Sequence, residues 1–406
     1  MSHAPEVPGD APDVADAERL DEATGKKLVK VAGAVAALGL LLCIAAYATD
    51  AKRFAFSYLT GFMWVVTIGL GALFFVILQH ITKAGWSVAA RRHMEWVSAI
   101  LPVAIVLAIP VVLGAHDLYH HWMGPQAATD PILVKKVAWL NPGFFYARLA
   151  IYFTLWATLA WWFARTSRKQ DESGDVELTH SMQRVSAPSV LLFALSLSFG
   201  AFDILMSLAP HWYSTIFGIY IFAGSVVSAL AVLALITVGL QGGGWLKRVS
   251  TVEHQHDVGK LMFAFTVFWA YIGFSQFMLI WYANMPEETI WFHERWQGSW
   301  KAVSLTLLFG HFIVPFCFLL SRHVKRHKRA LVAAAIWMLA MHYVDLYWMI
   351  MPTLDTGSAH PSWIDLAGLL GPLGVLALVI ACKASRGPLY PLRDPRLAET
   401  RRHVNL

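Results

Sequence analysis

Ten long apolar segments constrain this chain more than any other feature of its sequence. A helix crosses the hydrocarbon core of a bilayer with about 20 residues. Segments of that length begin near Leu28, Ala55, Glu95, Phe144, Ser186, Tyr213, Val258, Ser299, Ala330 and Trp363. Of the 406 residues, 57% are hydrophobic and only 14% are charged, a balance that soluble domains do not show. The sequence therefore predicts an all-α integral membrane protein with ten transmembrane helices.

The distribution of basic residues predicts the orientation of these helices. Most of the 32 lysines and arginines lie in the N-terminal tail, in alternate loops and at the C-terminus. Because cytoplasmic loops are enriched in basic residues, both termini are predicted to be cytoplasmic. The net charge of +6 therefore reflects membrane topology, and we expect no nucleic acid partner.

The composition also predicts the domain boundaries. Residues 1–25 contain almost no large apolar side chains and are expected to form a disordered cytoplasmic tail. Residues 26–385 form the predicted membrane domain, and residues 386–406 a basic cytoplasmic tail. The first helix ends in a stretch that resembles a signal-peptide cleavage site, but we expect it to remain as an uncleaved anchor.

Beyond the first helix, the chain resembles itself at a spacing of roughly 140 to 160 residues. Residues 57–61 open helix two much as residues 214–218 open helix six, and Asp203 and Asp345 each lie seven residues before a proline. Because a shift of four helices preserves the direction of membrane crossing, the copies would be parallel repeats. The pattern predicts two four-helix bundles, helices 2–5 (about 55–210) and helices 6–9 (about 213–352), with helices one and ten peripheral.

Two carboxylates, Asp203 and Asp345, lie in apolar stretches and are the main candidates for proton transfer. A charge near the bilayer centre costs about 3 kcal/mol even on lenient scales, so such an acid usually faces the protein interior. His342 shares a helix face with Asp345. Burial disfavours an ionised carboxylate and a protonated imidazole favours it, so this pair could pass a proton near neutral pH. The alternative for all three residues is a structural hydrogen bond between helices.

Other polar residues in the predicted helices could extend a proton path between these acids and the cytoplasmic surface. They are His311 in helix eight, Tyr271 and Gln276 in helix seven, His80 in helix two and Glu95 in helix three. The alternative is that each of them is a buried polar group that already has a hydrogen-bond partner.

Polar residues in the outer loops are candidates for a proton exit or for docking of a basic cytochrome. They are His116, Asp117, His120, Glu287 and Glu288. The alternative is a solvated turn at the membrane interface. His116 and His120 are one helical turn apart, but nothing marks a third ligand, so no metal site is predicted.

The chain is expected to bind no redox cofactor by itself. Cys43, Cys317 and Cys382 are isolated and form neither a CxxC pair nor a CxxCH site, so we expect no iron–sulfur cluster, zinc or c-type haem. His311 and His342 are the only deep histidines and would leave no second ligand pair, so b-type haem is not expected either.

Three segments of the chain resemble a known family when they are taken together. They are WLNPGFF (139–145), SLAPHWYSTIFG (207–218) and QFMLIWYANMPEE (276–288). They are similar to segments of the NrfD-like (polysulfide reductase membrane subunit) family, and most similar to its smaller alternative complex III type. The resemblance covers nearly all of the chain from helix one to helix ten.

The resemblance implies a subunit of a quinol:cytochrome c oxidoreductase in a bacterial cytoplasmic (inner) membrane. The implied fold is two four-helix bundles with two peripheral helices, with proton-conducting polar residues inside the bundles. Implied partners are a larger NrfD-like sister subunit, an extracytoplasmic iron–sulfur subunit, multihaem and monohaem c-type cytochromes, and a terminal oxidase. The haem c and iron–sulfur clusters would belong to those partners. Quinol or quinone would bind to the sister subunit or to this chain.

Two other functions remain open from the sequence alone. Parallel repeats with buried acids also suit a proton-coupled secondary transporter. A chain without its own cofactor also suits a structural membrane anchor for peripheral redox subunits. Co-purification with haem-bearing subunits would exclude the transporter, and loss of turnover on substitution of Asp345 would exclude the anchor.

Overall fold

Ten helices cross the length of the protein in the computed structural model, which describes residues 18–404. Within this range there is no β-strand. The ten helices are α1 (Glu22–Thr49), α2 (Ala51–Ile81), α3 (Val88–Leu113), α4 (Pro142–Ser173), α5 (Val176–Leu208), α6 (Phe217–Gly242), α7 (Val252–Ala283), α8 (Trp300–Leu320), α9 (Lys328–Thr353) and α10 (Trp363–Ala384). Each is long and apolar enough to span a membrane, so the predicted all-helical, multi-pass class is confirmed.

Local sequence signals set the ends of these helices. At the start of α4, the Asn141 side chain accepts a hydrogen bond from the Phe144 amide at 2.9 Å, and Pro142 occupies the first turn. The same helix ends at Gly174, whose φ of +69° favours glycine. Thr251 and His254 form a capping box at the start of α7.

Both described ends of the chain lie at one end of the bundle, which we call the terminal face. There the Leu389 amide donates a hydrogen bond to the Glu18 carbonyl at 3.0 Å. The opposite end, formed by residues 114–141, 209–216, 284–299 and 354–362, is called the loop face. Most of the tail predicted for residues 1–25 lies outside the described residues, and α1 begins at Glu22, before the predicted boundary at residue 26.

Helices α2 and α6 occupy the centre of the molecule and are the most deeply buried of the ten. They approach closely because a glycine faces the partner backbone: a Cβ atom on Gly71 would lie 2.0 Å from the Ser225 carbonyl oxygen. Helix α1 packs against α10 at the edge, and α10 contacts α2, where a Cβ on Gly61 would lie 2.2 Å from the Gly368 carbonyl oxygen.

The predicted basic tail at the C-terminus is an ordered part of the fold. Residues 386–404, which we call the C-terminal strap, run across the terminal face. Leu389, Tyr390, Leu392 and Leu397 are buried there in a small apolar cluster with residues that include Val88. The sequence of the strap alternates buried apolar residues with charged ones, so both apolar contacts and ion pairs hold it in place.

Candidate functional site

Asp345 lies in the interior of α9 and is almost completely buried. Its Oδ1 atom accepts a hydrogen bond from the Tyr220 hydroxyl of α6, and its Oδ2 atom accepts one from Trp269 Nε1 of α7 at 3.1 Å. Among residues 18–404, no lysine or arginine forms an ion pair with it. A carboxyl group that is buried without a cation is costly to ionise, so this site suits a carboxyl that binds and releases a proton.

His342 shares α9 with Asp345 but binds a different helix. Its Nε2 atom lies 2.8 Å from Thr67 Oγ1 of α2, whereas its Nδ1 atom has no partner among the described residues. Gly224 makes room for the ring, since a Cβ atom there would be 3.2 Å from it. The predicted pair is thus on one helix face, but no hydrogen bond joins its two members directly.

His311 reaches the same region from α8. Its ring is fully buried, its centroid is 3.9 Å from that of Trp269, and neither ring nitrogen has a partner among residues 18–404. Residues Leu307–Ile313 form a π-helical turn, and the Trp337 indole donates to the Gly310 carbonyl at 2.7 Å within it. Such turns are rare and are frequent at functional sites. Trp269 therefore contacts both Asp345 and a histidine with free hydrogen-bonding capacity.

A cavity of about 720 Å³ opens beside this cluster, towards the loop face. Its walls are mainly aromatic, and Tyr220 and Trp269, the two donors to Asp345, form part of them. Gln276 also lines the cavity; it is 5% exposed, and its amide nitrogen has no partner among the described residues. The volume lies in the range of small-molecule sites, and the lining suits a flat apolar ligand that carries a few polar atoms.

Arg295 forms the rim of the cavity at the loop face. Its guanidinium donates to the carbonyls of Trp291, Trp348 and Met349 at 2.9 to 3.1 Å and stacks on the Trp291 ring at 3.6 Å. Burial lowers the pKa of Arg295 to about 9, so the side chain stays protonated at neutral pH. It carries a fixed positive charge that holds the end of α9 against the loop helix Pro286–Glu294.

Asp203 occupies a different environment from Asp345. Arg148 of α4 donates to both of its carboxylate oxygens, from Nε at 2.7 Å and from Nη2 at 2.8 Å. Trp139 and Tyr152 each donate a further hydrogen bond at 2.9 Å. The Ser207 hydroxyl, one turn further on, donates to the Asp203 backbone carbonyl and not to its carboxylate. This geometry is that of a buried bidentate ion pair between helices, which stabilises the ionised carboxylate.

Both acids lie near the ends of their helices at the loop face. Asp203 is in the last turn before α5 passes into a 3-10 turn at Met206, and Asp345 is two turns from the end of α9. The apolar sequence continues past each helix end into buried turns, so the length of an apolar stretch overstates the distance of its acid from the end of the helix.

The remaining proton-path candidates do not form one continuous string. Tyr271 is 63% exposed on the outer surface of α7, because it lies opposite the buried face that carries Trp269 and Gln276; its placement inside the bundle was wrong. His80 and Glu95 are buried, but near the terminal face. Thr67 and His80 are thirteen positions apart in α2, about 20 Å along the helix, and the residues between them are apolar except for Gln79 next to His80.

The outer-loop candidates lie on the loop face. His116, Asp117 and Glu287 are exposed, whereas His120 and Glu288 are partly buried. The His120 ring stacks on its neighbour His121 with centroids 3.9 Å apart. Their role in proton exit or docking stays a prediction.

Several residues of these sites were not anticipated from the sequence. Tyr220 and Trp269, which hold Asp345, lie more than 70 residues from it, and no local pattern links them. Arg148 was not predicted as the partner of Asp203, yet one signal was present in the sequence. It is a single cation in an apolar segment at a depth similar to that of Asp203, and buried opposite charges pair.

Comparison of the chain with protein-family models and with curated proteins finds no match in either.

Proposed function

We propose that this chain is a membrane subunit of a quinol:cytochrome c oxidoreductase of the alternative complex III type, and that it guides protons through Asp345. The single observation that carries the proposal is the position of Asp345, a buried carboxyl with no cation partner among the described residues. Its two hydrogen-bond donors, Tyr220 and Trp269, line the aromatic cavity. A quinol head group is flat and aromatic and carries two exchangeable protons, so the cavity is our candidate quinone site within this chain.

Quinol oxidation requires an exit for electrons and acceptors for protons. Oxidation of a quinol releases two electrons and two protons; the electrons would leave through haem and iron–sulfur groups in partner subunits, since the chain has no predicted cofactor of its own. The protons need acceptors near the ring. Tyr220 and Asp345 supply a hydroxyl and a carboxyl in hydrogen-bond contact, and the spare nitrogens of His311 and His342 lie nearby.

The family and its arrangement belong to the same proposal. The three motifs at 139–145, 207–218 and 276–288 resemble the NrfD-like family, closest to ActF, its smaller alternative complex III subunit. We propose that α2–α5 and α6–α9 are parallel repeats and that the terminal face is cytoplasmic in a bacterial inner membrane. Partners would be the larger sister subunit, the iron–sulfur subunit, the c-type cytochromes and a terminal oxidase.

Substitution of Asp345 tests the proposal. In the purified complex, Asp345→Asn keeps the size of the side chain and one acceptor oxygen, but it replaces the other oxygen by an amide group that cannot take up and release a proton. We expect quinol:cytochrome c turnover and proton release to fall by about 10²-fold, the low end of what a positioned acid or base contributes. Subunit composition, measured by mass, should be unchanged.

Tyr271→Phe is the matched control, because it removes a hydroxyl of the same helix bundle that faces outward. It should leave turnover and proton yield at the wild-type level. Unchanged turnover in Asp345→Asn would leave only a structural anchor. A chain that purifies without haem-bearing partners and exchanges solute would point instead to a transporter.

A further inference from the structure

A second buried charge cluster lies at the terminal face, far from Asp345. Arg91 and Arg92 of α3 point into it and are about 3% exposed. Arg92 pairs with Asp171 of α4 at 2.5 Å, and Arg91 pairs with Asp394 of the C-terminal strap at 2.5 Å. Glu95 lies between the two guanidiniums, at 3.8 Å from Arg91 Nε and 3.5 Å from Arg92 Nε. We call these five residues the inner cluster.

The formal charges of the inner cluster do not balance. Two guanidiniums face three carboxylates, and all five side chains are buried or nearly so. Arginine stays protonated, so the excess lies with the acids. Like charges that share a buried site cannot all ionise cheaply, and one carboxyl then retains a proton.

Glu95 is the acid with the fewest partners. Both of its oxygens lack a hydrogen bond among the described residues, whereas Asp171 and Asp394 each accept one from an arginine and one from a backbone amide of the strap. His80 Nε2 and both ring nitrogens of His93 are also buried without partners. The proton therefore has a carboxyl to reside on and unsatisfied polar atoms beside it.

The strap supplies the acid that upsets the balance. Without Asp394, the cluster would hold two cations and two anions. The strap is further anchored by the Leu392 amide, which donates to Asp171 at 2.9 Å, and by the Thr400 hydroxyl, which donates to the Gly85 carbonyl. His403 Nε2 also binds Asp257 of α7. Docking of the strap and the charge of the cluster are thus physically linked.

We propose that the inner cluster is a proton-binding site that the C-terminal strap completes, so that docking of residues 386–404 takes up one proton. By linkage, the strap is held most firmly at low pH and is released as pH rises. The inference rests on the proposed function only in that Glu95 and His80 would then form the inner end of the proton path. Its test needs no turnover.

Other ionisable groups lie around the strap but outside the inner cluster. Arg396 pairs with Glu399 at 2.7 Å, so the pair has no net charge, although Arg396 also attracts Asp394 electrostatically. Arg393 donates to the Glu172 carbonyl at the rim. Asp257, the partner of His403, also binds Lys260 at 2.6 Å, and the His254 ring lies edge-on to the His403 ring with centroids 5.2 Å apart. Protonation of His403 would favour docking in the same direction, so the experiment must separate it from the inner cluster. Glu18, Arg248 and Arg401 lie near the buried Tyr390 side chain.

Hydrogen–deuterium exchange of the full chain in its purified complex tests the proposal through strap peptides that contain the Leu392 amide. After correction for intrinsic exchange, we expect the docking constant of the wild type to fall as pH rises, by at most about tenfold per pH unit, which is the limit for uptake of one proton. In the His403→Asn background, Asp394→Asn and Glu95→Gln each balance the cluster and should make protection independent of pH. Glu95→Gln leaves every strap contact in place, so it decides the matter if Asp394→Asn fails to dock.

Two control variants keep the inner cluster intact. Glu399→Gln removes a strap acid outside the cluster and should keep the wild-type pH dependence. His403→Asn should lower protection but retain the slope due to the cluster. A wild-type strap whose protection does not change with pH overturns the proposal, as does a slope that survives in the Glu95→Gln/His403→Asn double variant or one that vanishes in His403→Asn alone. The outcome is independent of the turnover of Asp345→Asn, so the two proposals can fail separately.

Discussion

Replacing Arg148 by methionine should destabilise the protein severely. Asp203 is fully buried and would lose both hydrogen bonds from the guanidinium, which leaves only the Trp139 and Tyr152 donors at 2.9 Å. Removing one partner of a buried ion pair costs about 3–5 kcal/mol, because the other charge stays desolvated. The size of Met is close to that of the Arg148 stem, so most of the loss should be electrostatic.

The double variant Arg148→Met/Asp203→Leu separates this effect from lost packing. It removes both charges and leaves Trp139 and Tyr152 without an acceptor, at about 1 kcal/mol each. We therefore expect it to be more stable than either single variant, with a net loss of about 2 kcal/mol.

The free energy of unfolding in mixed micelles, followed by denaturant titration, measures all three variants against the wild type. A loss below about 1 kcal/mol in Arg148→Met would mean that Asp203 is neutral in the native state. That result, or a double variant less stable than both single ones, would refute the ion-pair interpretation and restore Asp203 as a proton-relay candidate.

Two further predictions concern the surface of the protein. Tyr271→Phe should change the free energy of unfolding by less than about 0.5 kcal/mol, since its side chain is 63% exposed; a larger loss in the same titration would place the hydroxyl in an interior contact. A hydrogen bond from His211 holds the pKa of Asp130 below its usual range, so this contact stabilises the loop above about pH 4 and is lost as pH falls further. Exchange of the Ile132 and Leu133 amides, which Asp130 caps, should rise at acidic pH; an exchange rate that stays flat would contradict this.

Much of the secondary structure follows from local sequence. Each apolar segment predicted a helix because a backbone in lipid must satisfy its own hydrogen bonds. The cap at Asn141 and Pro142 and the glycine at 174 were readable in the same way, since they act within a few residues. The inward position of Asp345 also followed, because exposing a carboxylate to lipid is prohibitively costly.

The helix face of an isolated polar residue was less predictable. Tyr271 and Gln276 lie in one helix of nearly uniform apolarity, yet one faces outward and the other lines the cavity. In a soluble helix the polar face marks the surface. In a membrane helix both lipid and protein interior are apolar, so that signal is weak.

Sequence alone determined that this chain is a bundle of ten spanning helices with rare acids inside it. Each segment must cross the full thickness of the bilayer and satisfy its backbone hydrogen bonds without water. Only the tertiary structure decided that Asp203 is neutralised by Arg148 while Asp345 is not, and that the C-terminal strap brings Asp394 onto Arg91. These partners lie from 55 to more than 300 residues apart in the chain. Whether a buried acid holds a proton depends on these neighbours, which helix packing brings next to it.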